Sequence, residues 1–405
     1  MIWQGAVDPM LLSFPKPSMS DVVALESRAC FLLGLAVAVP VAYPSEPYYW
    51  FAFIVALFGL ASSRPPKERL VLLFVFLAIG AVSTVATEYQ HLASLSRSLP
   101  IALGSILVLA GFGFRDRESF VRGYCYMMAA IAALIVFTYL HLGLLSETWQ
   151  TFIYPDKRLW GEPYFPDWPN FLAFGLGLAA IIAVSLLGLN SIGILCLTAA
   201  ILTTSRMALV ALAVLSVIWM RTIVREHGLF ALFLLIGGAL TTVSLILWDF
   251  AVALAEYYDA IVSTGYGDRL LKLGDRSAIW ARSLEILNQH PLLGIGAVPL
   301  DESIGLPSSS IHNSYLEVTL RFGVLGLVTW FFLFLPSLRA LQDNKGLIPV
   351  FLFVAISALF NNVLKHPHYL VMYGVLLAIG SSSSVMRDTL RREQAERVRR
   401  KEISM

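Results

Sequence analysis

The chain has 405 residues, of which 58% are hydrophobic and 14% are charged, and its mean hydropathy is +0.74. This composition excludes an ordinary soluble enzyme and is typical of a polytopic membrane protein. The net charge is only +2, and no stripe of Lys and Arg is interleaved with aromatic residues, so no nucleic-acid partner is expected.

Apolar runs in chain order predict an all-α fold with about 12 transmembrane helices, because a spanning helix needs about 20 apolar residues. The first 27 residues lack the apolar core and cleavage site of a signal peptide, so we expect the first span to be retained. The predicted spans lie near 28–44, 48–63, 69–87, 98–114, 121–143, 168–187, 190–204, 206–221, 229–250, 312–338, 347–364 and 368–386.

These runs divide the chain into five predicted regions, and the distribution of basic residues orients them. The regions are an inner amino-terminal segment (1–27), nine spans (28–250), a large outer loop (251–311), three spans (312–386) and a basic inner tail (387–405). With the amino terminus inside, most of the 29 Lys and Arg residues fall in inner segments, so both termini are predicted to be cytoplasmic. The tail is expected to attract anionic lipid. The cysteines are predicted to be packed between membrane helices and to form neither disulfides nor metal sites; they are Cys30, Cys125 and Cys196.

Some basic residues oppose this orientation and need another explanation. In the outer connection near 144–167, Lys157 and Arg158 are interpreted as a pair that contacts lipid headgroups. Arg206, in the sequence TTSRMAL, lies between two apolar runs, where a charge is costly unless it is paired, faces water or reaches the interface. It either snorkels to the headgroups or holds a phosphate through its bidentate guanidinium.

The large outer loop contains a predicted amphipathic helix from Arg276 to Asn288, with Asp275 as its N-cap and His290-Pro291 as its end. We expect this helix to lie over the outer face of the protein. A flexible turn, Leu-Leu-Gly-Ile-Gly, is predicted to follow. The expected apolar face comprises Ile279, Trp280, Leu284 and Leu287.

His312 opens the tenth predicted span at the water interface. It is either an interfacial hydrogen-bonding residue or a general base, since an imidazole with a pKa near 6.5 is largely neutral at pH 7. Glu317 either orients His312 or pairs with Arg321 at i+4, and we favour the ion pair.

The sequences HPLLGIG and HNSYLEVTLRFGVLGL, with R-x3-W before them and TTSRMAL upstream, resemble the O-antigen ligase family. The relatives of that family are O-antigen polymerases and protein O-oligosaccharyltransferases. The resemblance covers essentially the whole chain and implies a GT-C-like, multi-pass protein of the bacterial inner membrane with one large periplasmic loop. Members move a sugar chain from undecaprenyl pyrophosphate to an acceptor hydroxyl at the periplasmic face. For a ligase the acceptor is a sugar of lipid A-core.

The resemblance carries the family's histidine onto His312 and its two arginines onto Arg206 and Arg276. His312 is expected to take the proton of the acceptor hydroxyl, and the arginines to offset charge on the departing pyrophosphate. Arg158 and Asn313 are possible auxiliary residues. The resemblance implies no metal or other cofactor, and the outer loops contain no Asp-x-Asp pair.

Three other functions remain open at this point. A polymerase would use a second lipid-linked glycan as acceptor, and motifs alone do not separate it from a ligase. A transporter of lipid-linked glycans is less expected, because the sequence shows no internal repeat and its polar residues gather at one face. A non-enzymatic scaffold is the least expected.

Overall fold

The computed structural model of the protein describes residues 19–42, 46–87, 95–141, 169–203, 205, 207–221, 225, 276–300, 304–306, 311–361 and 366–380. Within these ranges every regular element is a helix, which confirms the predicted all-α class. Asp275 and the ninth predicted span (229–250) lie outside the described residues.

We number the helices in chain order. They are α1 (Met19–Ala42), α2 (Glu46–Ser62), α3 (Lys67–Ala86), α4 (Leu95–Ala110), α5 (Arg117–His141), α6 (Pro169–Ser185), α7 (Asn190–Leu202), α8 (Met207–Arg221), α9 (Arg276–Gln289), α10 (Ser314–Phe334), α11 (Leu338–Asp343), α12 (Leu347–Phe360) and α13 (Pro367–Gly380). Proline begins α6 and α13, since its missing N–H is not needed in a first helical turn.

Four helical segments are long and apolar enough to cross a membrane: Val23–Val41, Lys67–Ala86, Arg117–His141 and Ser314–Asp343. Seven shorter apolar helices coincide with the remaining predicted spans, apart from 229–250. The first helix begins at Met19, ahead of the predicted span, so its polar first turns are helical as well as its apolar part. The total of 12 spans and the periplasmic loop remain predictions.

Large apolar side chains lie exposed on the outside of this bundle. Phe58, Phe74, Phe137 and Phe332 are each more than half exposed. A surface of this kind is a liability in water but suits contact with lipid chains. Together with the apolar helices, it identifies a helical membrane protein.

Helices α1 and α5 pack backbone against backbone at two glycines. A Cβ atom on Gly34 would overlap the carbonyl oxygen of Phe120, and one on Gly123 would overlap that of Phe31. Small residues at such crossings allow membrane helices to approach closely. The three cysteines, two of them in α1 and α5, are buried and free, as predicted.

Arginines on the side predicted to be cytoplasmic cap the ends of other helices. Arg69 donates to the carbonyl oxygens of Leu333 and Leu335 at the end of α10. Arg117 donates to the carbonyl oxygen of Ala378 in the last turn of α13, at 3.2 Å. The last carbonyls of a helix have no partner within it, so a cation there satisfies them and complements the helix dipole.

A separate apolar cluster holds α9 and the segments after it against α10. We call α9 together with residues 290–300, 304–306 and 311 the cap. The buried apolar residues of this cluster are Ile279, Ile286, Ile295, Val298, Leu300, Ile304, Leu306, Ile311 and Leu320.

The amphipathic helix of the large loop is confirmed, since α9 begins at Arg276 and ends at Gln289, just before His290-Pro291. Its predicted apolar face was wrong at one position. Leu284 is 51% exposed, whereas Ser283 and Ile286 are buried on the same side as Ile279. Positions 279, 283 and 286 follow the i, i+4, i+7 spacing of one helix face, and position 284 does not.

Candidate active site

His312 lies at the junction between the cap and α10. Its φ is 53°, and it is the one non-glycine residue of the described ranges with a positive φ. The carbonyl oxygen of Ile311, just before it, accepts a hydrogen bond from Nε1 of Trp280 at 2.8 Å. On the other side, Oδ1 of Asn313 accepts from the backbone N–H of Leu316 at 3.0 Å. The turn that presents His312 is therefore fixed at both ends, with the residue half-buried.

Asn313, a possible auxiliary residue, is the N-cap of α10. Its side-chain oxygen satisfies one of the N–H groups that a helix start leaves without an internal partner. The structure thus gives Asn313 a structural role that the sequence analysis did not assign.

Arg276 is the first residue of α9, one helical turn before Trp280. Residues four apart on a helix have Cβ atoms about 5–6 Å apart. Since Trp280 is hydrogen-bonded to the residue before His312, the first turns of α9 are tied to the turn that carries His312.

Arg206 and Arg158 lie outside the described residues. The two residues that flank Arg206 are described, and Ser205 contacts the start of α6. Oγ of Ser205 donates to Oδ1 of Asn170 at 2.7 Å, and the N–H of Met207 donates to the same Oγ at 3.2 Å. That Arg206 meets His312 and Arg276 stays a prediction.

Sequence reasoning missed two histidines at the start of α13. The ring of His366 packs edge-on against Phe171, with centroids 4.2 Å apart, and Phe171 follows Asn170 in α6. His368 is 2% exposed, and its ring centroid lies 4.0 Å from that of Tyr369. The available signal was the sequence KHPHY, in which two histidines flank a proline at the start of an apolar run.

Polar contacts also join the starts of α6, α10 and α13 through neighbouring helices. Oγ of Ser314 donates to the carbonyl oxygen of Asn361 at the end of α12, at 2.9 Å. Oη of Tyr369 donates to the carbonyl oxygen of Phe171, at 2.5 Å. Polar side chains of distant segments therefore gather at one end of the bundle, the end that also carries His312.

The favoured pairing of Glu317 is confirmed. Nε of Arg321 lies 3.7 Å from Oε1 of Glu317, and both side chains are buried. In the part of the chain that the structure describes, no three His, Cys, Asp or Glu residues are grouped as a metal site would require.

The fold defines a helical membrane protein whose candidate site, at one end of the bundle, contains His312. A comparison with known families matches residues 191–331 to O-antigen ligase. This match confirms the resemblance stated from the motifs, and members of the matched family are glycosyltransferase-like enzymes. The match runs from α7 into α10 and includes Arg206, Arg276 and His312. A comparison with curated proteins finds no match.

Proposed function

We propose that the protein is an O-antigen ligase. It transfers O-antigen from undecaprenyl pyrophosphate to a sugar hydroxyl of lipid A-core, at the periplasmic face of the inner membrane. The observation that carries the proposal is the placement of His312. It lies within the family match, in a turn held by the cap on one side and by α10 on the other.

In the proposed reaction, an imidazole nitrogen of His312 accepts the proton of the acceptor hydroxyl as its oxygen attacks the anomeric carbon of the donor sugar. The new bond joins that oxygen to the anomeric carbon. The bond from the anomeric carbon to the phosphate oxygen breaks, and its electron pair leaves with undecaprenyl pyrophosphate. Attack from the opposite face inverts the anomeric configuration, so the enzyme needs no nucleophile of its own.

Charge grows on the pyrophosphate as it leaves, and we assign Arg206 and Arg276 to offset it. Guanidinium groups bind phosphate oxygens through two parallel hydrogen bonds and stay charged at any physiological pH. The start of α9 supports this role for Arg276, because the first N–H groups of a helix also favour an anion. In this proposal the arginines take the place of a divalent cation.

The test is a reconstituted transfer assay with undecaprenyl-pyrophosphate-linked glycan and purified lipid A-core, run in EDTA. We expect wild type to form lipopolysaccharide, and His312→Ala to be slower by about 10²–10⁴-fold, the usual contribution of a general base. The matched control is His141→Ala. His141 is exposed at the end of α5, where it stacks on Phe137, and it has no role in the proposed site.

Each alternative gives a different result in the same assay. Lengthened lipid-linked glycan without lipopolysaccharide would identify a polymerase. Loss of wild-type activity in EDTA would contradict the metal-free mechanism. A His312→Ala variant as active as wild type would remove His312 from the chemistry.

A further inference from the structure

The buried pair of Glu317 and Arg321 takes no part in the proposed chemistry. We infer that Arg321 is a positioning residue, which locks the cap to α10 and so sets the placement of Arg276 relative to His312. This inference rests on the proposed roles of Arg276 and His312.

The cap and α10 exchange backbone hydrogen bonds at a break in the helix. In a continuous helix the N–H groups of residues 324 and 325 would donate to the carbonyls of residues 320 and 321. Here the N–H of Val324 donates to Pro291 at 2.9 Å and that of Leu325 to Leu292 at 3.3 Å. The carbonyl oxygens of residues 320 and 321, which lose these helical partners, accept hydrogen bonds from the cap instead. The carbonyl of Leu320 accepts from the N–H of Ile295 at 2.9 Å, and that of Arg321 accepts from the N–H of Gly296 at 2.7 Å.

Glycine makes this exchange possible. Gly323 has φ 63° and ψ −172°, which breaks α10, and a Cβ there would overlap the carbonyl oxygen of Leu292. A Cβ on Gly294 would lie 2.5 Å from the carbonyl oxygen of Leu320. The two backbones therefore touch directly at the crossing, where their hydrogen bonds join them.

Arg321 supplies a side-chain lock at this crossing. Its Nη1 donates to the carbonyl oxygen of Val298 in the cap at 2.9 Å, while Glu317 offsets its charge. The two residues are 4% and 6% exposed. A buried ion pair is a poor source of stability compared with apolar side chains of similar volume, and its best-attested use is to fix register.

Two side-chain anchors therefore act together. One is the hydrogen bond from Trp280 to Ile311, which fixes α9 to the residue before His312, and the other is the bond from Arg321 to Val298, which ties α10 to the cap. Arg276 is the first residue of α9, so in this proposal its distance from His312 depends on both anchors. A misplacement of about 1 Å in an active site can cost about 10²-fold in rate.

The decisive variant removes both buried charges together, as Glu317→Gln with Arg321→Met. This double variant has no unpaired buried charge, so we expect it to fold with a wild-type unfolding midpoint in detergent. It has lost the bond to Val298, so we expect kcat to fall at least tenfold while KM for the donor changes less than threefold. Arg321→Lys keeps the charge but not the planar donor group, and an intermediate kcat is expected.

The matched control is an exposed ion pair that lies within the cap. Arg282 and Glu285 are 2.6 Å apart on α9, with side chains 39% and 61% exposed. The double variant Arg282→Met with Glu285→Gln should retain wild-type kcat and KM. An equal loss of kcat in both double variants would overturn the inference, because any change in the cap would then reduce activity.

Wild-type kcat in the buried double variant would also overturn it, since the pair would then serve stability alone. If the buried double variant fails to fold, the single variants Arg321→Lys and Trp280→Phe test the inference instead. Each replaces a side chain with one of similar shape that lacks the hydrogen-bonding group of the original. Unchanged kcat in both contradicts the two-anchor arrangement. Failure of the proposed function can be told apart from failure of this inference. Activity in His312→Ala, or a polymerase product from wild type, would contradict the proposed function before any variant of Glu317, Arg321 or Trp280 is made.

Discussion

The backbone of His312 adopts a left-handed conformation that costs about 1–2 kcal/mol for most residues, although histidine enters it more often than most. Three contacts hold it there: Trp280 with Ile311, Asn313 with Leu316, and Ser314 with Asn361. Residues held in uncommon backbone conformations cluster at functional sites, because only an over-determined surrounding structure maintains them. The sequence predicted that His312 opens the helix, whereas α10 begins at Ser314, with Asn313 as its N-cap. It did not predict this backbone angle, which depends on contacts between residues up to 47 positions apart.

Asn313 offers a direct test of capping against a role in the reaction. We expect Asn313→Ala to lower the free energy of unfolding by about 1 kcal/mol, because the first turn of α10 loses its side-chain acceptor. Asn313→Ser should restore most of that stability, since serine is an equally good N-cap without adding charge. The measurements are chemical unfolding in detergent and the transfer assay.

If Asn313 only caps the helix, the serine variant transfers glycan at about the wild-type rate. A serine variant that is stable but inactive would show that the amide group contacts substrate.

At the scale of helices, the termini carry most of the specific interactions. Arg69 and Arg117 cap the ends of α10 and α13 at one face. At the other face, Ser314 of α10 bonds to the residue that follows α12, and Tyr369 of α13 bonds to α6. Apolar runs and prolines predicted where these helices lie, because both are properties of the chain itself. The partners of each terminus were not predictable, since Ser205 and Asn170 are 35 residues apart and meet only through the packing of α6 against α7 and α8.

The break in α10 makes a prediction about glycine. Gly323→Ala should destabilise the protein by clearly more than 1 kcal/mol, because alanine there meets both an unfavourable φ and the Leu292 carbonyl. Gly188 is the matched control, since its φ is +67° and a Cβ on it would meet nothing within 4 Å. Gly188→Ala should cost only about 1 kcal/mol, the conformational part alone.

The two variants are compared by their unfolding midpoints in the same detergent. Equal losses of stability would mean that the cap moves away from Gly323 at little cost, and that its contact with α10 is looser than the hydrogen bonds indicate.

At the scale of the whole molecule, composition alone predicted a helical membrane protein, and the structure confirms this class. The cap shows the limit of such reasoning. Periodicity predicted α9, yet the Leu-Leu-Gly-Ile-Gly segment, expected to be a flexible turn, is buried over much of its length and hydrogen-bonded to α10. In the sequence, a short stretch with two glycines looks like a flexible turn. Its contact with α10 becomes evident only when the break at Gly323 is known.

The predicted orientation can be measured with single cysteines, because the natural cysteines are buried and should react little. We expect Asn288→Cys, exposed on α9, to react with a membrane-impermeant maleimide in intact spheroplasts. Ala395→Cys, in the basic tail, should react only after permeabilisation, because basic segments stay cytoplasmic. The opposite pattern would put the cap in the cytoplasm and rule out a periplasmic reaction.

The exchange of hydrogen bonds between cap and α10 has a consequence for how the protein is made. A membrane helix normally completes its own backbone hydrogen bonds, because lipid offers no substitute. Here α10 depends on Pro291 and Leu292 for two of them. Both residues precede α10 in the chain, so the ribosome has already made the partners when the helix emerges. Any split, graft or truncation of this domain must therefore keep the cap and α10 in one piece.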